Sequence, residues 1–321
     1  MVMNTSTVEE AGQLPVATPG GGSAVIQTDR LSKRYGSTLA LDDLDVSIPD
    51  GVIFGYLGPN GAGKTTTIRL LTGLLRPTSG RARVFGLDVV DNREEIQSRV
   101  GYLPGEFVAY PDLTADQYFT YLSSLRGSVD PQVVGTLCER LGLDRSRPMR
   151  DLSHGNRQKV GLVQALMHEP ELLILDEPTS GLDPLVQREV LTILREIRAE
   201  GRTVFLSSHI LAEVEAAADS VAILRQGRLV VVADVDTLKE KAVRPISLTF
   251  ATEPAADLLR GAKGVIDVSV ADHIAHVTVE GSTADLFRVA GPLGIESVTA
   301  QEPDLEEIFL DYYSNGAADV S

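Results

Sequence analysis

Short apolar runs alternate along this chain with longer stretches in which apolar residues recur every three or four positions. Leu44-Asp45-Val46-Ser47-Ile48 has period 2. With Ala24 to Leu31 and Thr38 to Leu44, around the turn Lys33-Arg34-Tyr35-Gly36, it predicts an antiparallel β layer over residues 24–52. Val52 to Leu57, Val100 to Leu103, Leu172 to Leu175, Val204 to Ser208 and Val221 to Leu224 have strand length. Leu172-Leu173-Ile174-Leu175 has no polar face and reads as a strand covered on both sides. Arg81 to Phe85 and Arg228 to Val232 predict two further short strands.

Helical pattern fills the intervals. One helix should run from Lys64 to about Leu75. Residues 114–168 read as mainly helical, broken near Gly127, Pro131, Gly142 and Pro148. Asp183 is an N-cap candidate with Pro184 in the first helical position. Val190, Leu191, Leu194 and Ile197 give that helix its apolar stripe, and Gly201 ends it. Strands alternating with helices predict a mostly parallel α/β sheet.

The pattern changes after about Lys241. Strands at Pro245 to Ala251, Val265 to Val270, His276 to Glu280 and Ile295 to Gln301 alternate with helices over 254–261 and 283–292. The order β-α-β-β-α-β predicts a small α+β domain of ferredoxin-like type. A last helix is expected from Asp304 to Tyr313, with Leu305, Ile308, Phe309 and Tyr312 on one face. The expected organisation is a disordered start at 1–23, a first domain over 24–241 with a helical subdomain at about 106–168, a second domain over 242–313, and a disordered tail at 314–321.

Composition narrows the function. The net charge of −16 on 321 residues opposes binding to nucleic acid phosphates. The single cysteine, Cys138, excludes an internal disulfide and a thiolate cluster, and fits a reducing compartment. No window reaches the about 18 apolar residues of a membrane span. The start lacks the basic and apolar regions of a signal peptide. Any role at a membrane must therefore pass through a partner.

The chemistry is concentrated in two segments. Gly58-Pro59-Asn60-Gly61-Ala62-Gly63-Lys64-Thr65-Thr66 lies between an apolar strand and a helix start. That is the setting of a phosphate-binding P-loop: backbone N–H groups and the helix N-terminus hold the anion. Lys64 should reach the β- and γ-phosphates, and the Thr65 hydroxyl should ligate Mg²⁺. Leu173-Ile174-Leu175-Asp176-Glu177 is an apolar strand ending in two carboxylates. Asp176 is placed to hold Mg²⁺ through water, and Glu177 to take the proton of the attacking water. His154, His168, His273 and His276 lack metal-ligand spacing with one another.

Leu152-Ser153-His154-Gly155-Asn156-Arg157-Gln158 precedes the acidic pair, Ser180-Gly181-Leu182-Asp183 follows it, and His209 stands after the strand ending Ser207-Ser208. The whole constellation resembles the ATP-binding cassette (ABC) family over roughly residues 25–240. The resemblance implies that the cofactors are ATP and Mg²⁺ and the activity is ATP hydrolysis. It implies that Ser153 and Gly155 contact the γ-phosphate held by a second subunit, so the protein acts as a dimer, expected to be a homodimer. Ser180 to Asp183 resembles the loop that crosses between subunits, His209 the histidine that touches the γ-phosphate, and Tyr35 the aromatic that stacks on adenine.

Departures from the family pattern are local. His154 replaces a glycine and Asn156 a glutamine of the signature. Gly105 stands where the family has the glutamine that senses Mg²⁺ and couples to the membrane subunit; Glu106 is the nearest stand-in. The second domain, ending in Pro303-Asp304-Leu305-Glu306-Glu307-Ile308-Phe309-Leu310, is similar to ATPase subunits of two-component bacterial drug and antibiotic exporters. That similarity implies an integral membrane permease on a separate chain, a place on the cytoplasmic face of the membrane, and a regulatory or dimer-contact role for residues 242–313. A soluble, non-transport ABC ATPase is the alternative expectation.

Overall fold

The computed structural model describes residues 24–127, 129–241 and 243–300. The expectations for 1–23, for the helix at Asp304 to Tyr313 and for 314–321 fall outside the described residues. Strand β1 (Ala24–Tyr35) pairs antiparallel with β2 (Thr38–Leu44) and β3 (Ser47–Pro49). Strand β4 (Ile53–Leu57) leads through the P-loop into helix α1 (Lys64–Leu71). That helix ends before Leu75: Thr72 stops it and Gly73 takes φ 68°. β5 (Ser79–Val84) and β6 (Leu87–Asp88) complete the antiparallel layer, in the order β2-β1-β5-β6 with β3 on β1.

Helix α2 (Arg93–Arg99) precedes β7 (Val100–Leu103). The helical subdomain contains α3 (Ala115–Arg126), α4 (Pro131–Arg140) and α5 (His154–Leu166). Thr114 and Gln117 form a reciprocal capping box on α3. Pro131 opens α4 rather than breaking it, because its missing N–H has no partner to lose there. Then come β8 (Leu172–Asp176), α6 (Pro184–Ala199), β9 (Thr203–Ser208), α7 (Leu211–Ala217), β10 (Ser220–Arg225), β11 (Arg228–Asp234) and α8 (Val235–Lys241). The central sheet has the order β11-β10-β4-β9-β8-β7, parallel except for the edge strand β11.

The unbroken apolar runs are explained by two cores on opposite faces of this sheet. In β8, Leu172 and Ile174 face a core made with α1 and the antiparallel layer. Leu173 and Leu175 face a core made with the helical subdomain and α6. β9 divides the same way, with Phe205 on the first side and Val204 and Leu206 on the second. A strand buried on both faces has no position for a polar residue until its end. The polar side chains of these strands therefore fall at their ends, and Asp176, Ser207 and Ser208 meet at the carboxyl ends, where α/β sheets place their ligands.

The remaining strands, β12 (Val243–Phe250), β13 (Val265–Ala271), β14 (Ile274–Glu280) and β15 (Ile295–Ala300), form a separate antiparallel sheet in the order β13-β14-β12-β15. Helices α9 (Ala256–Arg260) and α10 (Ala284–Ala290) supply Leu259 and Leu286 to its core, against Leu248, Phe250, Val268 and Val277. The elements follow the expected β-α-β-β-α-β order.

His168 lies beyond the end of α5, with Nε2 3.3 Å from the Val100 carbonyl. Burial, aided by the Arg126 charge, pushes its pKa down from 6.5 to about 4. The fold thus holds it neutral while the unfolded chain protonates it. Stability from this residue is present above pH 6.5 and declines as the pH falls towards about 4. Urea denaturation at pH about 7 and about 4.5 should show a smaller acid loss for His168→Gln than for the wild type. An equal loss in both proteins would assign the acid sensitivity to other groups.

Candidate nucleotide site

The site begins with a backbone constraint. Gly63 has φ 111°, and a Cβ there would lie 2.6 Å from the Ala40 carbonyl oxygen. Only glycine lets the loop close against β2 in this conformation. Lys64 follows as the first residue of α1 and is 5% exposed. Its Nζ donates to the carbonyls of Gly58, at 2.7 Å, and Pro59, at 3.3 Å. Asn60, Gly61, Ala62 and Thr66 complete the loop and the first turn; Ala62 is buried and the Ala62 carbonyl accepts from the Gly227 N–H. Thr67 fixes α1 to the sheet, its hydroxyl 3.1 Å from the Tyr56 hydroxyl and from the Gly63 carbonyl.

Asp176 ends β8 and is 1% exposed. Its carboxylate accepts from the Thr65 hydroxyl at 2.7 Å and from the Ser207 hydroxyl at 2.5 Å. Tyr102 on β7 feels this charge: burial raises its pKa first, Asp176 raises it further, and the Arg69 guanidinium opposes both. Glu177, the next residue, leaves the strand with φ 51°, in the left-handed region that a side chain rarely adopts. Its N–H donates to the Ser207 carbonyl at 3.2 Å, and its own carbonyl accepts from the Gln158 side chain at 3.0 Å and from Ser180 N–H at 3.2 Å. Held this way, Glu177 Oε1 lies 3.2 Å from His209 Nδ1 and 3.7 Å from Lys64 Nζ.

The structure thus brings Lys64 and Thr65, from the start of α1, together with Asp176, Glu177 and His209, from the ends of β8 and β9. The other candidates lie apart from that cluster's polar contacts. Ser153 caps α5, accepting from the Asn156 N–H at 3.2 Å. A Cβ on Gly155 would lie 2.5 Å from the Gly181 carbonyl oxygen, so the start of α5 packs directly on the loop after β8. Asp183 Oδ1 accepts from the Leu185 and Val186 N–H groups, both at 3.1 Å, as the N-cap of α6. Tyr35 exposes 45% of its surface at the end of β1, with Lys33 Nζ 5.3 Å from its ring centroid.

Gly105 faces Asp176: a Cβ there would lie 3.1 Å from Asp176 Oδ2. Glu106 is exposed and lines a cleft with Met149, Arg150, His154 and Arg157. Among the described residues no hydrogen bond or ion pair joins Glu106 to Asp176. Several residues that hold this site were not singled out by the sequence. Gln158, Ser207 and Thr179 are buried polar residues, and Thr179 and Ser208 both donate to Glu213 on α7. Polar residues inside otherwise apolar elements were the available signal.

The donor set suits Mg²⁺. It offers one hydroxyl and one carboxylate, both hard oxygen ligands, facing each other across 2.7 Å. No group of three or more His, Cys, Asp or Glu able to hold a metal occurs among the described residues. A cation here would take its remaining ligands from water and phosphate, as Mg²⁺ does in phosphoryl-transfer sites.

A P-loop backed by two strand-end carboxylates on a parallel sheet defines a nucleoside triphosphatase. Residues 41–180 match the ABC transporter family. The chain is 34% identical over 303 residues to a bacitracin transport ATP-binding protein of Bacillus licheniformis, covering 92% of this chain and 99% of that protein. It is 30% identical over 305 residues to a linearmycin resistance ATP-binding protein of Bacillus subtilis, covering 89% and 97% of the two. Among solved structures, an ATP-binding subunit of an ABC transporter is 31% identical, with a TM-score of 0.62 over 67% of this chain and 92% of that one. A dimeric ATP-binding cassette bound to ADP and Pi shares the fold, with a TM-score of 0.60 over 65% of this chain and 98% of that one, at 21% identity. The chain belongs to the ABC transporter family of ATP-binding proteins, and its activity is ATP hydrolysis.

The Gln158 amide donates to the carbonyls of Glu177, at 3.0 Å, and Pro178, at 3.3 Å, and the residue is 1% exposed. Gln158→Leu would take this donor from the Pro178 carbonyl and leave the Glu177 carbonyl with the Ser180 N–H alone. Unpaired buried polar groups cost about 1–3 kcal/mol, so denaturant titration should show a loss of that size. A neutral substitution would show that the loop holds itself.

Proposed function

We propose that this chain is the ATP-hydrolysing subunit of an exporter, working as a dimer beneath a separate membrane permease on the cytoplasmic face. The observation that carries it is the convergence of Glu177, His209 and Lys64 beside the Thr65–Asp176 pair. The near full-length similarity to a bacitracin transport protein supports a drug-, antibiotic- or lipid-like substrate. No helix among the described residues is long and apolar enough to cross a membrane, which fits a permease on another chain. Sharing a fold with a dimeric cassette supports the dimer.

ATP binds with its phosphates in the loop from Gly58 to Thr66. Lys64 leaves the loop carbonyls for the β- and γ-phosphates, whose oxygens are the stronger acceptors for an ammonium group. Thr65 and, through water, Asp176 would hold Mg²⁺, which when bound neutralises phosphate charge. Glu177 accepts the proton of the attacking water, and its left-handed backbone turns the carboxylate towards Lys64 and His209. His209, 3.2 Å from Glu177 Oε1, steadies the γ-phosphate. Tyr35, exposed at the strand end, stacks on adenine.

Ser153 and Gly155 meet the γ-phosphate bound to the second subunit. Ser153 is exposed at the N-terminus of α5, and among the described residues neither Ser153 nor Gly155 has a polar contact with the P-loop of its own chain, which supports that role. Asp183 acts there through the helix it caps. Gly105 brings no side chain to the metal carboxylate, so water takes the place of the family's glutamine. Glu106 faces the cleft beside Val108 and Tyr110, which are 78% and 57% exposed, where a permease segment would couple. The unit from Val243 onward has the strand order of a ferredoxin-like domain and serves regulation or dimer contact.

Glu177→Gln keeps the shape but cannot accept the proton. It should bind MgATP normally, slow single-turnover hydrolysis by about 10²–10⁴-fold, and sediment as an ATP-bound dimer. Wild-type hydrolysis would remove Glu177 from the mechanism, and a slow variant that stays monomeric with ATP would sink the shared site. A chain ending at Glu240 should still bind MgATP. Loss of binding in a folded truncation would show that the two units are not independent.

A further inference from the structure

Glu213 is a carboxylate on α7 that the hydrolysis chemistry does not use. It is 9% exposed, and Oε2 accepts two hydroxyls, Thr179 Oγ1 at 2.6 Å and Ser208 Oγ at 3.0 Å. Oε1 is buried and has no hydrogen-bond partner among the described residues. A buried carboxylate with one oxygen unpaired is costly, and its retention calls for a reason.

The two hydroxyls belong to the two segments that carry the reacting pair. Thr179 stands two residues after Glu177, in the loop clamped by Gln158 and by the Gln187 amide, 3.4 Å from the Thr179 carbonyl. Ser208 immediately precedes His209, and its Oγ accepts from the Ile210 N–H at 2.9 Å, closing the backbone around the histidine. Both are buried, at 3% and 2% exposure. The post itself is rigid: Val214, beside Glu213, packs against β4 where Gly55 leaves no room for a Cβ. Helix α7 therefore cannot slide along the sheet without opening that contact.

We propose that Glu213 is a positioning residue for hydrolysis, tying the loop after Glu177 to the segment bearing His209 and so fixing the 3.2 Å approach of His209 Nδ1 to Glu177 Oε1. It acts through the segments bearing Glu177 and His209. The inference rests on the roles proposed above for Glu177 and His209.

The test uses the full chain and separates kcat from MgATP affinity. Glu213→Leu removes both acceptor bonds; kcat should fall about tenfold with the MgATP Kd within about twofold of wild type. Glu213→Gln keeps an acceptor oxygen for both hydroxyls and should recover most of the rate. The decisive readout is the His209→Ala background, in which Glu213→Leu should cost less than about twofold, because the residue it positions is gone. The same loss in both backgrounds, or a Kd shift that accounts for the whole effect, would overturn the proposal. Should Glu213→Leu fail to fold, Thr179→Val, which removes one bond at nearly constant volume, must show the same dependence on His209 or the proposal falls. If Glu177→Gln and His209→Ala both hydrolyse ATP at wild-type rates, the underlying reading fails instead; impaired rates in those two with a wild-type Glu213→Leu would overturn this inference alone.

Discussion

The Asp176 carboxylate is the interaction on which the rest of the site depends. Buried at the end of β8, it accepts the Thr65 hydroxyl from α1 and the Ser207 hydroxyl from β9. Three elements that meet nowhere in sequence are thereby joined at one charge. A buried carboxylate is costly without hydrogen-bond donors, and these two hydroxyls supply them while leaving the carboxylate beside a hydroxyl that can share a cation. Because Asp176 is fixed, Glu177 has a fixed starting point, and its left-handed backbone decides where its carboxylate goes.

Around that point the protein is held by buried polar contacts rather than by apolar packing alone. Gln158 from α5, Gln187 from α6 and Glu213 from α7 each bond the loop that follows β8. Each bond reports on a different part of the molecule. Gln158 ties the helical subdomain to the loop carrying Glu177, and Glu213 ties α7 to the same loop. Such a loop is suited to coupling hydrolysis to motion, because its position depends on three elements at once.

Gly105 gives this chain a distinctive form of the site. Its backbone approaches Asp176 so closely that a Cβ would crowd the carboxylate. Glu106, the nearest acidic side chain in sequence, points instead into the cleft with Arg150 and Arg157. The position facing the metal-site carboxylate is thus bare backbone, and the acid next to it faces outward.

Local pattern alone determined much of this protein. The P-loop, the acidic strand end, the antiparallel layer, the parallel sheet and the second α+β unit were legible because period, glycine placement and strand length are properties of neighbouring residues. Asp183 as an N-cap followed for the same reason. Short α2, α7 and α8 escaped, whereas the equally short α9 and α10 were legible from the β-α-β-β-α-β alternation around them. The roles of Ser207, Gln158 and Glu213 escaped for a deeper reason. Their partners lie 31, 19 and 34 residues away along the chain. Which buried hydroxyl or amide meets which carboxylate is decided only when the sheet order and the packing of α5 and α7 bring them within hydrogen-bonding distance.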